Sequence, residues 1–175
     1  MADSLRGQLL IAAPQLSDYF RRTVILVVEH SEEGAMGLVL NRPTDSEVAE
    51  AVPSLSGLID HTEMVHAGGP VQPDSVIVLG DFEQPTEAGT QVTGTLGLLD
   101  PDRPEADLRR VRVFAGYAGW APGQLDSELD EDTWIVEDAA PDDPFSEDDL
   151  WTRALTRKGG QYRLLASMPA DPTLN

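Results

Sequence analysis

The sequence has no cysteine and no long apolar run. Without cysteine, the chain has no disulfide, no thiol nucleophile and no zinc–thiolate site. No apolar stretch approaches the roughly 18 residues that a helix needs to cross a bilayer. Residues 1–7 also lack the charged and then apolar layout of a secretion signal. We therefore expect a cytoplasmic protein that has no membrane association.

Basic residues are scarce as well. The chain carries 12 lysines and arginines against 31 aspartates and glutamates, which gives a formal net charge of -19. A field of that sign repels the phosphate backbone of nucleic acids and the anionic surface of membranes. Direct nucleic-acid binding is therefore disfavoured, whereas a cationic protein partner is compatible with the charge.

The acidic residues are concentrated in one block, from Asp126 to Asp149, where twelve carboxylates occur and no basic residue does. Such a block is most often a solvated surface. Two other interpretations remain open, namely a docking site for a basic partner and a weak collector of divalent cations. Its spacing does not match a calcium-binding loop, which needs alternating acidic ligands, a glycine and a later glutamate.

The sequence signatures of common enzyme classes are also missing. There is no Gly-x-Ser-x-Gly elbow, no Ser-x-x-Lys pair and no dinucleotide-binding Gly-x-Gly-x-x-Gly. His61 and His66 are five residues apart in a segment that we predict to be extended, so their side chains fall on opposite faces. We therefore expect no metal site and no cofactor.

Short apolar and β-branched runs, separated by polar turns, indicate a chain rich in strands. We predict strands at residues 8–13, 23–29, 34–40, 63–67, 75–80, 95–98, 110–117 and 133–137. We predict helices at residues 46–52, 124–129 and 146–158, the last of them capped by Ser146 and ended by Gly159. With no repeat and no long linker, residues 1–175 are expected to form one domain.

Four stretches carry a resemblance that covers nearly the whole chain. They are residues 6–12 (RGQLLIA) with Pro14, Asp18, Phe20 and Thr23; residues 29–30 (EH) with 34–43 (GAMGLVLNRP); residues 68–71 (GGPV); and residues 116–120 (GYAGW) with 122–125 (PGQL), Glu128, Leu129 and Trp134. In order and spacing, the chain resembles the YqgE/AlgH family. His66 departs from that pattern, because the family often has an aromatic residue there, and the acidic region after Asp126 is heavier than usual.

The resemblance implies a compact α+β fold, with a mixed, strongly curved sheet and helices packed outside it. It also implies a bacterial, cytosolic protein. One type of member is linked by name to the regulation of alginate production. The family supplies no agreed catalytic residues that are transferable to this chain.

Polar groups at the predicted strand ends are the best candidates for a binding site. Arg42 offers a planar fork for a carboxylate or a phosphate, and Asn41 precedes it; the alternative is that Asn41 caps a turn and Arg42 pairs with an acidic neighbour. The turn at Gly69 offers backbone N–H groups to an anion, or is simply a turn. A strand-to-helix connection adds a helix N-terminus, an indole and an amide; its candidates are Gly119, Trp120, Gly123 and Gln124, although Trp120 also suits the core.

Three functions remain open from the sequence. The favoured one is a non-enzymatic binding or regulatory domain that acts through a protein partner or a small anionic ligand. The alternative is an enzyme of unrecognised class, in which His30, beside Glu29, is the base and Arg42 clamps an anion. A transcription-linked regulator that binds DNA directly comes third, because the net charge opposes it.

Overall fold

The computed structural model describes residues 4–51, 63–100, 106–147 and 149–167. The strands are β1 (Gln8–Ala12), β2 (Val24–Ser31), β3 (Gly34–Val39), β4 (Pro43–Glu47), β5 (Met64–Ala67), β6 (Val71–Phe82), β7 (Thr90–Thr93), β8 (Leu96–Leu98), β9 (Leu108–Trp120) and β10 (Trp134–Asp138). The helices are α1 (Val48–Ala51), α2 (Gln124–Asp130), α3 (Leu150–Lys158) and α4 (Tyr162–Ala166), and short 3₁₀ turns occur at Pro85–Glu87 and Asp143–Phe145.

The described strands form one sheet in the order β10-β1-β2-β3-β9-β6-β8-β7, in which neighbouring strands are antiparallel. Strand β5 joins β9 in parallel, and β4 lies antiparallel to β5. The sheet is therefore mixed, and with the helices that pack on it the expected α+β fold class is confirmed.

Alternation along the central strands gives the sheet two apolar faces. On β1, Leu9 and Ile11 belong to one core cluster, which α3 and α4 cover, whereas Leu10 and Ala12 belong to the other, which α2 covers through Leu125. Residues 9–12 of β1 and 24–28 of β2 are consequently buried. Near-continuous apolar runs are what such doubly covered strands require.

The sheet is strongly curved, because its last strand returns to the segment before β1. The Arg6 guanidinium donates to the Gln91 carbonyl on β7, and Gly7 packs against Thr93. Val92 of β7 shares a core cluster with Leu9 of β1. A sheet that brings distant members of the strand order together encloses one common core.

Two predicted helix starts are wrong. Residues 46 and 47 belong to β4, because the Thr44 hydroxyl donates to the Val65 carbonyl and holds this segment extended against β5. Helix α1 begins only at Val48, and the end of the predicted helix lies outside the described residues. Helix α3 begins at Leu150, since Asp149 and not Ser146 is its cap and accepts the Thr152 N–H at 3.2 Å.

In the β7–β8 hairpin, the sequence predicts β8 but not β7, because β7 is mostly polar and buries only Val92. Other predicted elements are confirmed, including the β2–β3 hairpin and the end of α3 at Gly159, which has φ 81°. None of the helices in the described part of the chain has the length and apolar character of a bilayer-spanning segment.

Candidate functional site

The predicted site residues are distributed over both ends of the β2–β3 hairpin. Ile25 pairs with Val39 near one end, and His30 pairs with Ala35 near the other. At roughly 3.3 Å per residue, His30 and Arg42 are therefore about 20 Å apart. The structure does not bring the candidate base and the candidate anion clamp into one site, so the enzyme hypothesis that joins them lacks its geometry.

The His30 end of the hairpin adjoins the strand-to-helix connection, whose polar groups converge on Glu128. The Trp120 and Trp134 indoles donate to the same Glu128 oxygen at 3.0 Å and 2.8 Å. The Gln124 amide donates to the other oxygen at 2.8 Å and accepts the Ala121 N–H at 2.9 Å. Glu128 thus satisfies three donors, and the sequence interpretation missed it as the centre of this arrangement.

This connection is poorly suited to an anion. Trp120 is 7% exposed and belongs to a core cluster, as the alternative interpretation of this residue predicted. The Gln124 amide is engaged on both sides, and the first turn of α2 carries Asp126. Gly119 pairs with Met36 in the sheet, and Gly123 caps α2 in a left-handed conformation with φ 77°. All four candidates here have structural roles.

His30 lies beside this end and fastens the start of the described chain to the hairpin. Its Nδ1 accepts the Leu5 N–H at 2.9 Å, and its Nε2 lies 3.9 Å from an Asp126 carboxylate oxygen. The Ser4 hydroxyl donates to the His30 carbonyl at 3.3 Å. Glu29, the neighbouring candidate, is exposed. These contacts give His30 a positioning role in the fold.

Gly69 is a point of close backbone approach. It is buried, and a Cβ atom there would lie 2.1 Å from the Tyr117 carbonyl carbon. The preceding Gly68 donates to the Ala115 carbonyl at 2.9 Å and accepts the Val39 N–H at 2.9 Å. The turn thus lies between β3 and β9 and bonds both. The close backbone contact explains why glycines occur here, and no ligand is needed to explain them.

The other end of the hairpin, near Val24 and Val39, is held by Asn41. Its side-chain oxygen accepts the Val24 N–H at 3.0 Å, and its amide donates to the Arg22 carbonyl at 2.9 Å. The side chain therefore takes the place of a neighbouring strand for the first residues of β2. This confirms the interpretation of Asn41 as a residue that caps a turn.

Arg42 is packed differently, and it marks a group that we call the arginine cluster: Tyr19, Arg21, Arg22 and Arg42. The Arg42 guanidinium carbon lies 4.6 Å from the centroid of the Tyr19 ring, and its NH2 group donates to the Arg21 carbonyl at 3.2 Å. Arg22 stacks on Trp151 at 4.0 Å. The expected acidic neighbour of Arg42 is not found among the described residues, and an aromatic ring takes its place.

The arginine cluster is open to solvent. Tyr19 is 43% exposed, and Arg21 is exposed. Arg22 has φ 55°, a left-handed conformation that non-glycine residues adopt at a cost. The sequence interpretation selected Arg42 and missed Tyr19, Arg21 and Arg22. The available signal was the Tyr-Phe-Arg-Arg run directly before a buried strand.

Part of the acidic block is internal structure. Asp143 is 1% exposed and binds Arg157 at 2.8 Å and Arg153 at 3.3 Å. Burial acts to raise the pKa of Asp143, but the hydrogen bonds from Arg157 and the Ala140 N–H and the charge of Arg157 lower it below the ordinary value. This carboxylate thereby ties the 3₁₀ turn at Asp143–Phe145 to α3.

Two further arginines hold the same turn to β9. Arg110 binds Asp142 at 2.7 Å, and the buried Arg112 binds Glu147 at 2.6 Å and Glu63 at 3.0 Å. The solvated-surface interpretation of the block is wrong for the buried Asp143, whereas Asp142 and Glu147 pair with arginines and keep 80% of their side chains exposed. Others in the block, including Asp130 and Asp132, are exposed.

Of the two histidines considered for a metal site, His61 and His66, the structure describes only His66. His66 is 5% exposed, and burial together with the Arg112 charge lowers its pKa to about 4. His61 lies outside the described residues. Within the part of the chain that the structure describes, no group of three metal-binding side chains forms.

Comparison with known proteins agrees with this fold. A family model described as AlgH-like matches residues 9–163. UPF0301 proteins of Streptomyces coelicolor and Thermobifida fusca are each 40% identical to this chain, over 98% of it and 96% of their own length. The crystal structure of a Corynebacterium diphtheriae protein superposes with a TM-score of 0.85 at 30% identity, covering 95% of this chain and 93% of the other.

A second solved structure is the solution structure of the AlgH protein from Pseudomonas aeruginosa. It superposes with a TM-score of 0.73 at 30% identity and covers 97% of this chain and 96% of that chain. The match of sequence and of structure extends over nearly all of this chain, and the chain therefore belongs to the AlgH-like family.

Proposed function

We propose that this chain is a non-enzymatic binding domain of the cytoplasm whose arginine cluster takes a small anionic ligand through a phosphate or carboxylate group. The observation that carries this proposal is the placement of the Arg42 guanidinium, 4.6 Å from the Tyr19 ring and bonded to the Arg21 carbonyl. An arginine held in this way is oriented before any ligand arrives.

Orientation matters because binding normally costs side-chain entropy. A guanidinium carries five N–H donors in a fixed plane, which matches the oxygens of a phosphate or a carboxylate. One donor of Arg42 binds the Arg21 carbonyl. Stacking on Tyr19 restricts the rest of the group, so less freedom is lost when an anion binds.

The charge of the surroundings adds selectivity. The whole chain has a net charge of -19, so polyanions are repelled at long range. Arg21 and Arg22 follow Tyr19 in the sequence, and their backbone carbonyls accept from Arg42 and Asn41, which places further basic residues beside Arg42. Such an arrangement favours a compact anion over an extended one such as nucleic acid, in line with the expectation from composition.

The non-enzymatic part of the proposal is supported by the position of the candidate base. His30 lies about 20 Å from Arg42 along the hairpin, far beyond hydrogen-bond reach. Its two ring nitrogens face the Leu5 N–H and the Asp126 carboxylate. A ligand bound at the arginine cluster would therefore lie out of reach of His30 as a general base.

The test is a titration with inorganic pyrophosphate, followed by ³¹P NMR, which reports binding and chemical integrity together. We expect saturable binding that R42Q weakens at least about tenfold, because it removes a charge-assisted hydrogen bond. R42K keeps the charge but not the planar fork, so we expect an intermediate affinity. The matched control is R163Q, which removes an exposed arginine of α4.

Two results would overturn the proposal. Equal affinity of the wild-type protein and R42Q would remove the arginine cluster as the site. Conversion of pyrophosphate to orthophosphate, lost in R42Q and retained in R163Q, would show that the cluster belongs to an enzyme.

A further inference from the structure

A groove runs along the free edge of β10, and its rim at Asp18 adjoins Tyr19 of the arginine cluster. β10 is the terminal strand of the sheet order, so one of its edges has no neighbour among the strands of the described residues. Two adjoining depressions of about 400 Å³ and 250 Å³ lie here and share Ala13 and Gln15. The larger one is lined by the strand residues Trp134, Ile135 and Val136 and by Tyr162 and Leu165 of α4.

The alternation of the β1–β10 ladder shows which backbone groups face the groove. The Ala13 N–H donates to the Thr133 carbonyl at 3.0 Å, and Ile11 pairs with Ile135. In an antiparallel pair, every second residue bonds the neighbour and those between point away from it. The backbone groups of Trp134 and Val136 therefore point outward.

The far half of this edge is already capped by the chain itself. The Lys158 ammonium donates to the Val136 carbonyl at 2.6 Å, and Arg157 donates to the Asp138 carbonyl at 3.1 Å. The Asp138 N–H donates to a Glu137 carboxylate oxygen at 2.9 Å. Charged side chains of this kind protect an edge from unwanted pairing. The groove lies along the near half, at Trp134 and Ile135, and ends at Val136 and Lys158.

The walls and the rim of the groove differ in chemistry. Half-buried Ile135, Tyr162 and Leu165 supply apolar surface. Asp18, Glu131 and Asp132 are exposed on the rim. None of these three carboxylates has an ion-pair partner within the described residues, in contrast with Asp142, Asp143 and Glu147 of the acidic block.

We propose that this groove binds an extended, basic segment of a partner protein, which adds as a strand to β10. Outward backbone groups recognise an extended chain by strand addition, and apolar walls accept every second side chain. The three rim carboxylates then meet basic side chains that project the other way. Lys158 limits the groove at its far end, because a cation there repels a basic segment.

The rim charges favour such a partner over a second copy of this chain. Two copies that met edge to edge would bring Asp18, Glu131 and Asp132 of each toward those of the other. Like charges placed opposite each other across an interface are unfavourable. The net charge of -19 adds a general repulsion between copies.

The test uses the full chain, labelled with ¹⁵N, and the peptide acetyl-Arg-Val-Arg-Val-Arg-Val-amide as the probe. We expect the backbone amides of Trp134 and Val136, which point outward, to shift on titration. A peptide with N-methyl groups on alternate residues keeps the charges but cannot pair as a strand, and we expect it to bind at least about fivefold more weakly. A peptide with glutamate in place of arginine is expected not to bind.

Matched protein variants separate the rim from the net charge. The rim variant combines D18N, E131Q and D132N, and the control combines E32Q, E33Q and D45N, which are also exposed. We expect about fivefold or more weaker peptide binding for the rim variant and less than about twofold for the control, because rim charges act locally at physiological salt.

Any of three outcomes would overturn the proposal. The first is that the rim and control variants weaken peptide binding equally, and the second is that the N-methylated peptide binds as tightly as the unmodified one. The third is a dimer in sedimentation that protects the β10 amides, which would show that a second copy of this chain occupies the groove. R42Q is expected to leave peptide binding unchanged. Loss of pyrophosphate binding with retained peptide binding therefore separates this inference from the proposed function.

Discussion

The two ends of the β2–β3 hairpin use polar side chains in opposite ways. At the His30 end, Glu128 accepts both indoles and the Gln124 amide, so the polar groups are satisfied inside the protein. At the other end, Arg42 rests on a ring that is 43% exposed. Both ends belong to the stretches that identify the family. Membership of such a stretch therefore does not distinguish a residue whose polar groups are satisfied inside the protein from one at a partly exposed surface.

The largest difference between the two ends is expected for aromatic truncation. Trp120→Ala removes a ring that is 7% exposed, and we expect the free energy of unfolding to fall by about 3–5 kcal/mol. Tyr19→Ala, the matched change at the Arg42 end, is expected to cost less than about 1 kcal/mol because Tyr19 is 43% exposed. Urea unfolding measures both, and similar losses would contradict the comparison.

The next largest effect on stability is expected from the buried His66. Burial first, and then the Arg112 charge, lower the pKa of His66 from 6.5 to about 4, against the opposing influence of the Met64 carbonyl and Glu147. The unfolded chain therefore takes up a proton near pH 6.5, which the folded protein resists until about pH 4. The stabilisation is complete above pH 6.5 and decreases as the pH falls toward 4, by about 3 kcal/mol in all.

His66→Phe tests this contribution, since the ring of His66 already packs 5.8 Å from that of Phe114. We expect the variant to lose less stability than the wild-type protein between pH 6.5 and 4. Asp143, whose pKa is lowered, destabilises both proteins as the pH falls through its folded pKa, so it does not enter the difference. Parallel curves of unfolding free energy against pH would contradict the assignment.

Removing the charge of Glu128, at the His30 end of the hairpin, has a smaller effect. Glu128→Gln keeps the length of the side chain but removes the charge from an acceptor of three hydrogen bonds. We expect a loss of about 1–2 kcal/mol. Glu131→Gln, an exposed carboxylate just beyond α2, is expected to change stability by less than about 0.5 kcal/mol. Equal stability of the two variants would show that the hydrogen bonds of Glu128 do not stabilise the His30 end of the hairpin.

Much of the sheet was predictable because its central strands are buried on both sides. Continuous apolar runs predicted β1, β2 and β3 to within two residues at each end. The pattern failed where the strand is polar and its pairing is decided by tertiary contacts. β4 is such a case, since the Thr44 hydroxyl and the pairing with β5 override a sequence that favours helix.

The site was less predictable than the fold. The sequence places Arg42 at a strand end, but its ring partner Tyr19 lies 23 residues earlier and reaches it only through the folding of the chain. Glu128 was missed for the same reason, because Trp120 and Trp134 approach it from two different strands. Such convergence is a property of three-dimensional packing, which residue spacing does not contain.

The smallest expected effect on stability completes the comparison. Arg42→Gln removes a stacked but partly exposed guanidinium, and we expect the free energy of unfolding to change by less than about 1 kcal/mol. The same variant is expected to lose pyrophosphate binding. Thermal unfolding without and with pyrophosphate measures both properties. The ligand should raise the melting temperature of the wild-type protein and not that of the variant, because a ligand stabilises only the state that binds it. A large loss of stability without ligand would instead place Arg42 among the residues that hold the fold, and the two ends of the hairpin would then be alike.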